Sequence, residues 1–130
     1  MTIFLRFVVD MLDPDSGRRQ GLFQAAAMLA SAHAFSAHER TEYEEVRRWF
    51  AENLEKPERL AVSSRPHAKA QAIGWFKDTS ATHIANMRRF QHLLEAHDIA
   101  VSVLRTNRPG YVVYEDEFQV AAHPFANTPS

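Results

Sequence analysis

The chain has 130 residues, which suits one domain large enough to bury a hydrophobic core. Hydrophobic residues make up 45% and charged residues 24%, the composition of a folded protein rather than a disordered one. Cysteine is absent, which excludes disulfides, cysteine-ligated zinc, iron–sulfur clusters and thiol nucleophiles. No apolar run approaches a membrane helix and no signal peptide is recognisable, so we expect a soluble cytoplasmic protein with no membrane partner.

The net charge of −1 gives no general attraction to nucleic acid, but the charge is unevenly distributed. Residues 59–108 hold eight Lys/Arg against three Asp/Glu, whereas the segments on either side are both acidic. This asymmetry favours an anionic partner near the middle of the chain.

The N-terminal segment from Ile3 to Asp10 alternates between a wholly apolar face and a mixed one, which predicts a β-strand. Asp13 to Gly17 contains Pro, Asp and Gly and predicts a turn. A first helix is predicted from about Arg18 to His33, because Leu22, Ala26 and Leu29 recur at helical spacing.

The second predicted helix runs from about Ala37 to Leu54. Ser36 and Glu39 have the spacing of a capping box, in which each side chain satisfies the free backbone N–H of the other residue. Because the connection to the first helix is short, we expect the two helices to lie antiparallel.

Residues 66–97 predict two further helices. Pro66 suits the first turn of a third helix that would turn Ile73 and Phe76 inward, and Asp78 and Thr79 can cap a fourth that runs to about His97. One continuous helix over this segment is the alternative, since its apolar positions keep the same phase.

The C-terminal third changes to a period of two from Ile99 to Leu104. Pro109-Gly110 is typical of a type II turn into a strand over 111–114. Glu115-Asp116 then predicts a tight turn into a strand over 118–122, with one long bulged strand as the alternative.

The order β-α-α-α-α-β-β-β predicts an α+β fold. We expect a three- or four-stranded antiparallel sheet, made of the N-terminal strand and a C-terminal meander, packed against a layer of three to four helices. Residues 1–123 are predicted to form a single domain, and residues 124–130 a flexible tail.

Two clusters of cations coincide with predicted helix starts, where free N–H groups and the helix dipole favour anions. Ordinary capping would place acidic residues there. The sequence therefore predicts a positive patch for an acidic protein surface or a phosphate-bearing ligand, formed by Arg18, Arg19, Arg65, His67, Lys69 and Arg108. The alternative is that these cations pair with carboxylates of the chain itself.

Other site chemistries have weaker support. The pairs His33/His38 and His92/His97 are five residues apart and do not share a helix face, so we expect no metal site and no cofactor. No nucleophile elbow, phosphate loop or dinucleotide fingerprint is present, and no catalytic residue is assigned. The alternative hypothesis is a small enzyme acting on a phosphorylated or nucleic-acid substrate, with His67 as acid or base.

The last predicted strands bring Tyr111, Tyr114 and Phe118 towards a sheet edge. An aromatic edge strand can pair with another chain, including a second copy of itself as a homodimer. We therefore favour a binding or interaction protein over an enzyme. Nucleic acid is a weaker candidate partner, because the basic footprint is only partial.

Overall fold

The computed structural model of this protein describes residues 1–13, 17–55 and 72–130. Six strands and three helices occur in these ranges. In chain order they are β1 (Phe4–Leu12), β2 (Arg19–Gly21), α1 (Leu22–Ser31), α2 (Ala37–Asn53), β3 (Ile73–Lys77), α3 (Ala81–Glu95), β4 (Val101–Thr106), β5 (Tyr111–Glu115) and β6 (Gln119–His123).

The strands form one antiparallel sheet, with β1 near its centre. β4 runs along one edge of β1, whereas β3 and β2 share the other edge, and β6 and β5 follow beyond β3. The predicted α+β class is confirmed. The predicted number of strands is too low. The predicted C-terminal meander is wrong in placing β4 beside β5, because β4 pairs with β1 instead.

Apolar side chains are buried on both faces of the sheet. Phe7 and Val9 of β1 join the main core with side chains from all three helices. On the opposite face, Trp75 forms a second cluster with Ile73, Val120 and neighbouring residues. The wholly apolar face recognised in β1 is therefore the helix side; on the mixed face Val8 is buried, Phe4 and Arg6 are half-buried, and Asp10 is exposed.

The first helix is shorter than predicted. Residues Arg19–Gly21 pair with the second half of β1 as β2, so α1 begins at Leu22 rather than at Arg18. The capping box of α2 is confirmed: the Glu39 backbone N–H donates to Ser36 Oγ at 3.2 Å and the Ser36 N–H donates to Glu39 Oε1 at 2.9 Å.

The largest correction concerns Ile73–Lys77, which is a strand and not part of a helix. A third helix over these residues and a continuous helix through them are both wrong. The aromatic and branched residues here alternate between the two apolar clusters, and the strand gains partners on both sides, β1 and β6. Pro66 and the start of the predicted third helix lie outside the described residues.

The residues after β6 make specific contacts. Thr128 is buried and its Oγ1 accepts a hydrogen bond from the Phe125 N–H at 3.0 Å. Ser130 accepts a hydrogen bond on its carbonyl oxygen from Arg19 Nε at 2.9 Å. The division between a domain ending at 123 and a flexible tail stays a prediction.

Among the described helices, none combines the length and apolar character needed to cross a membrane.

Candidate functional site

A pocket lies where β2 and β3 meet on the same edge of β1. β3 pairs with β1 at Phe4 and Leu5, and β2 pairs with it at Val8 and Leu12. The stretch between them leaves a gap in the sheet beside a cavity of about 180 Å³. We call it the fork pocket. Its walls, within the described residues, are Arg6, Phe7, Leu54, Met87, Gln119 and residues 21–23 and 74–76.

Arg6 brings a partly buried positive charge to the fork pocket. Its Nη2 donates a hydrogen bond to the carbonyl oxygen of Arg19, but its Nε is buried and has no hydrogen-bond partner among the described residues. No carboxylate of the described residues forms an ion pair with its guanidinium. Burial lowers the pKa of Arg6 to about 10; the positive charge of Arg19 acts in the same direction, and the negative charge of Asp13 opposes the shift. A buried cation in this state is incompletely compensated.

Trp75 adds a second donor without an acceptor. The residue is 1% exposed, and no described residue accepts a hydrogen bond from its indole Nε1. The register that pairs Leu5 with Phe76 would, if continued across the gap, set Arg6 opposite Trp75. Arg6 and Trp75 therefore each place a buried N–H donor without a described acceptor in residues that border the fork pocket, an arrangement that is uncommon in folded proteins.

The N-terminus of α1 supplies a third source of positive potential. Gly21 occupies the N-cap position and has no side chain with which to cap the helix, and the first turn contains no acidic residue. The first N–H groups of a helix have no intrahelical acceptor, and the dipole favours negative charge beside them. Because Gly21, Leu22 and Phe23 line the fork pocket, this helix end lies at its wall.

The rest of the wall is mainly apolar. Phe7, Leu22, Phe76 and Met87 belong to the main core and line the pocket from the helix side. Gln119 is polar, but its Nε2 already donates hydrogen bonds outside this group of residues, to the Glu55 carbonyl oxygen at 2.6 Å and to Asp116 Oδ2 at 3.0 Å. The pocket therefore combines a few N–H donors with an apolar surround.

A wider groove of about 1070 Å³ adjoins the fork pocket and shares Phe23, Leu54 and Gln119 with it. Its remaining described walls come from the second half of α2 and Glu55, which present both acidic and basic side chains. We call it the α2 groove. The fork pocket therefore has a polar neighbour.

The structure describes three of the six residues of the predicted positive patch. Arg18 Nη1 donates to Ser130 Oγ at 2.9 Å, and both Arg18 and Arg19 lie near enough to Arg6 to lower its pKa. Arg18 and Arg19 lie at the start of β2, so the prediction that they stand at the start of a helix is wrong. Arg108 is exposed, with its guanidinium carbon 5.2 Å from the ring centroid of Phe125.

The other three, Arg65, His67 and Lys69, lie outside the described residues, so their approach to Arg18 and Arg19 stays a prediction. Sequence reasoning missed Arg6 as a site residue. The available signal was a single arginine on a strand whose neighbours are nearly all apolar.

The predicted interface residues differ in their surroundings. Tyr111 lies on β5, an outer strand of the described sheet, and is 42% exposed. Tyr114 donates a hydrogen bond to Asp116 Oδ2 at 2.7 Å, which raises the pKa of Tyr114 to about 12. Phe118 stacks on the imidazole of His83 at 4.3 Å between ring centroids. The latter two side chains therefore also have roles inside the molecule.

His83 is a buried polar residue that the sequence did not single out. Its Nε2 lies 2.8 Å from the carbonyl oxygen of Asn53, at the end of α2, and its ring packs against Trp49 and Phe118. This arrangement connects α2 to α3 and does not reach the fork pocket, so we interpret His83 as structural.

No group of three or more histidines and carboxylates within the described ranges is arranged to hold a metal ion. No family model, curated protein or solved structure matches this chain. The interpretation of the site therefore depends on its geometry alone.

Proposed function

We propose that this protein binds a small anionic ligand in the fork pocket and does not transform it. The observation that carries the proposal is the partly buried Arg6 side chain in the pocket wall, which makes no ion pair with a carboxylate of the described residues. An anion bound in the pocket would offset the positive charge of Arg6. The uncapped start of α1 favours the same sign of ligand.

The residues lining the fork pocket support binding over catalysis. Within the described wall, Arg6 is the one titratable side chain, and no serine, histidine or carboxylate is placed there as nucleophile or base. The alternative of an enzyme that uses His67 concerns a residue outside the described ranges and is kept as a separate proposal.

The wider positive patch belongs to the same proposal. Arg18 and Arg19 increase the positive potential around Arg6, which supports a ligand that carries a phosphate or carboxylate group, or an acidic protein surface that presents one. Arg65, His67, Lys69 and Arg108 would extend this patch if the chain brings them to the same side.

The test is a panel of anions that includes acetate, benzoate and inorganic phosphate, measured by thermal shift and titration calorimetry. We expect at least one of them to stabilise the wild-type protein and to bind at least tenfold more weakly to Arg6→Met. Arg40→Met is the matched control, because Arg40 is exposed on α2 and does not line either pocket. A panel in which every anion affects wild type and Arg6→Met alike would refute the proposal.

Self-association through β5 is a second proposal. β5 is an outer strand, and Tyr111 and Val112 are 42% and 40% exposed. An exposed apolar edge is a position at which a second copy can add its own strand. Light scattering should then show a dimer that Val112→Lys converts to a monomer, and a wild-type monomer at high concentration would rule this out.

A further inference from the structure

We infer that residues 124–130 form an inhibitory strap, which occupies part of the positive patch and is displaced when an anion binds there. The inference rests on the positive patch of the proposed function and adds a means of regulating it. One observation carries it: the strap contacts every residue of that patch that the structure describes, namely Arg18, Arg19 and Arg108.

Two arginines hold the far end of the strap. Arg18 Nη1 donates a hydrogen bond to Ser130 Oγ at 2.9 Å, and Arg19 Nε donates one to the Ser130 carbonyl oxygen at 2.9 Å. Two guanidinium groups therefore meet at the oxygens of a single residue. A phosphate or carboxylate group also presents several oxygens in a small space, and arginine binds such groups through the same N–H donors. Ser130 therefore fills a position that suits an anion.

The third patch residue contacts the strap nearer its beginning. The Arg108 guanidinium carbon lies 5.2 Å from the centroid of the Phe125 ring, and the Arg108 carbonyl oxygen accepts a hydrogen bond from Thr128 Oγ1 at 3.4 Å. Because the strap contains no Asp or Glu, it meets the three arginines through hydroxyl groups, a backbone oxygen and an aromatic ring. A phosphate brings a full opposite charge and makes stronger contacts with arginine than these groups do.

The strap is attached at few points, so it can detach without unfolding the domain. Thr128 is its one buried residue. Thr128 Oγ1 accepts a hydrogen bond from the Phe125 N–H at 3.0 Å, and the Thr128 N–H donates to the Phe125 carbonyl oxygen at 3.1 Å. The exposed residues of the strap are Phe125, Ala126, Asn127 and Pro129. A segment with so little buried surface opens at a small fraction of the free energy of global unfolding.

The strap and the anion therefore compete for the same arginines. When only a fraction of the molecules is competent to bind, the apparent dissociation constant rises in inverse proportion to that fraction. Weakening the strap should tighten anion binding, and by linkage a bound anion should release the strap.

The first test is the affinity for inorganic phosphate, measured by titration calorimetry at an ionic strength held constant with chloride. Thr128→Val keeps the shape of the buried side chain but removes its hydroxyl and the two hydrogen bonds that this hydroxyl makes. We expect Thr128→Val to bind phosphate about tenfold more tightly than wild type. Ser130→Ala removes the oxygen held by Arg18 and should tighten binding about threefold; it serves if Thr128→Val does not fold.

Two further variants assign the effect to the strap and the patch. Thr41→Val is the matched control, because Thr41 is exposed on α2 and its Oγ1 donates within the helix, to the Ala37 carbonyl oxygen at 3.1 Å. It should leave phosphate affinity within about twofold of wild type. Arg19→Met, combined with Thr128→Val, should weaken phosphate binding at least about tenfold relative to Thr128→Val alone.

The second test follows the strap itself by amide hydrogen exchange. The N–H groups of Phe125 and Thr128 both donate hydrogen bonds inside the strap. Saturating phosphate should speed their exchange at least about tenfold. The Ile84 N–H, which donates to the Ser80 carbonyl oxygen at 3.0 Å in α3, should be unaffected.

The contrary results separate this inference from the proposed function. Equal phosphate affinity in wild type, Thr128→Val and Ser130→Ala, or unchanged exchange at Phe125 and Thr128, would overturn the strap. Weaker binding by Thr128→Val would make the strap part of the site rather than its inhibitor, and would also overturn the inference. Absence of phosphate binding by wild type and Thr128→Val alike would overturn it too, whereas the fork pocket stands or falls on the acetate and benzoate results with Arg6→Met.

Discussion

Replacing Arg6 by methionine should stabilise the protein, although it removes a buried side-chain hydrogen bond. The pKa of Arg6 is lowered to about 10, about 2.5 pH units below its ordinary value, chiefly by burial. At about 1.4 kcal/mol per unit, the charged form costs about 3 kcal/mol in the folded state. Both folded and unfolded chains are protonated at pH 7, so this cost is fully present there; it begins to fall as the pH rises through about 10 and is gone only above the ordinary pKa of arginine.

The lost interaction reduces this gain. Arg6 Nη2 donates to the carbonyl oxygen of Arg19, and a hydrogen bond to a charged group contributes about 2 kcal/mol. Methionine has an unbranched apolar side chain that suits a largely apolar pocket. The balance predicts that Arg6→Met raises the free energy of unfolding by about 1 kcal/mol at pH 7.

Urea denaturation measures this directly. The midpoint should rise without a change in slope, since the surface exposed on unfolding is nearly unaltered. Arg40→Met should remain within about 0.5 kcal/mol of wild type, as expected for an exposed position. If Arg6→Met instead lowered the free energy of unfolding by 2 kcal/mol or more, Arg6 would be a well-compensated buried charge and the argument for an anion site would fail.

Three further substitutions test other parts of the structure. Gly110→Ala should cost at least about 3 kcal/mol, because φ is 132° and a Cβ would overlap the backbone at the end of β6. Gly74 has open space around it and should accept alanine without such a loss. Tyr114→Phe should abolish a step in phenolate absorbance near pH 12, because the hydrogen bond that the Tyr114 hydroxyl donates to the Asp116 carboxylate keeps Tyr114 protonated up to that pH. Arg89→Met should lower the free energy of unfolding by about 1 kcal/mol, because it removes the two hydrogen bonds from Arg89 on α3 to the Glu42 carboxylate on α2. In a double-mutant cycle with Glu42→Gln, most of this loss should appear as the coupling energy between the two residues.

Local signals in the sequence predicted those elements whose pattern does not depend on distant partners. The Ser36–Glu39 capping box fixed the start of α2, since both hydrogen bonds lie within four residues. The alternation in β1 also depends only on nearby residues, and the side of β1 that it marks as wholly apolar is the side that faces the helices. Ile73–Lys77 was mistaken for helix because Ile73 and Phe76 also fit a helical period, and only the pairing with β1 and β6 distinguishes the two.

The candidate site was only partly accessible from the sequence. Arg18 and Arg19 attract notice as adjacent charges after a turn, but their significance here comes from lying near Arg6. Arg6 itself looks like the polar position of an amphipathic strand. Its burial depends on the rest of the sheet, and the gap beside it exists because β2 and β3 divide one edge of β1 between them.

The fork pocket brings together features that a protein selected for stability alone would avoid. Around a single cavity lie an arginine that makes no ion pair within the described residues, an indole N–H that finds no acceptor among them, and a helix end that has no side-chain cap. Each carries a free-energy cost of about 1–3 kcal/mol, which is large beside the net stability of about 5–15 kcal/mol typical of a domain. Unsatisfied donors scattered over the fold would indicate poor packing. Here two of them belong to residues that border one pocket, next to the positive end of a helix, and this grouping is the physical reason to expect an anion there.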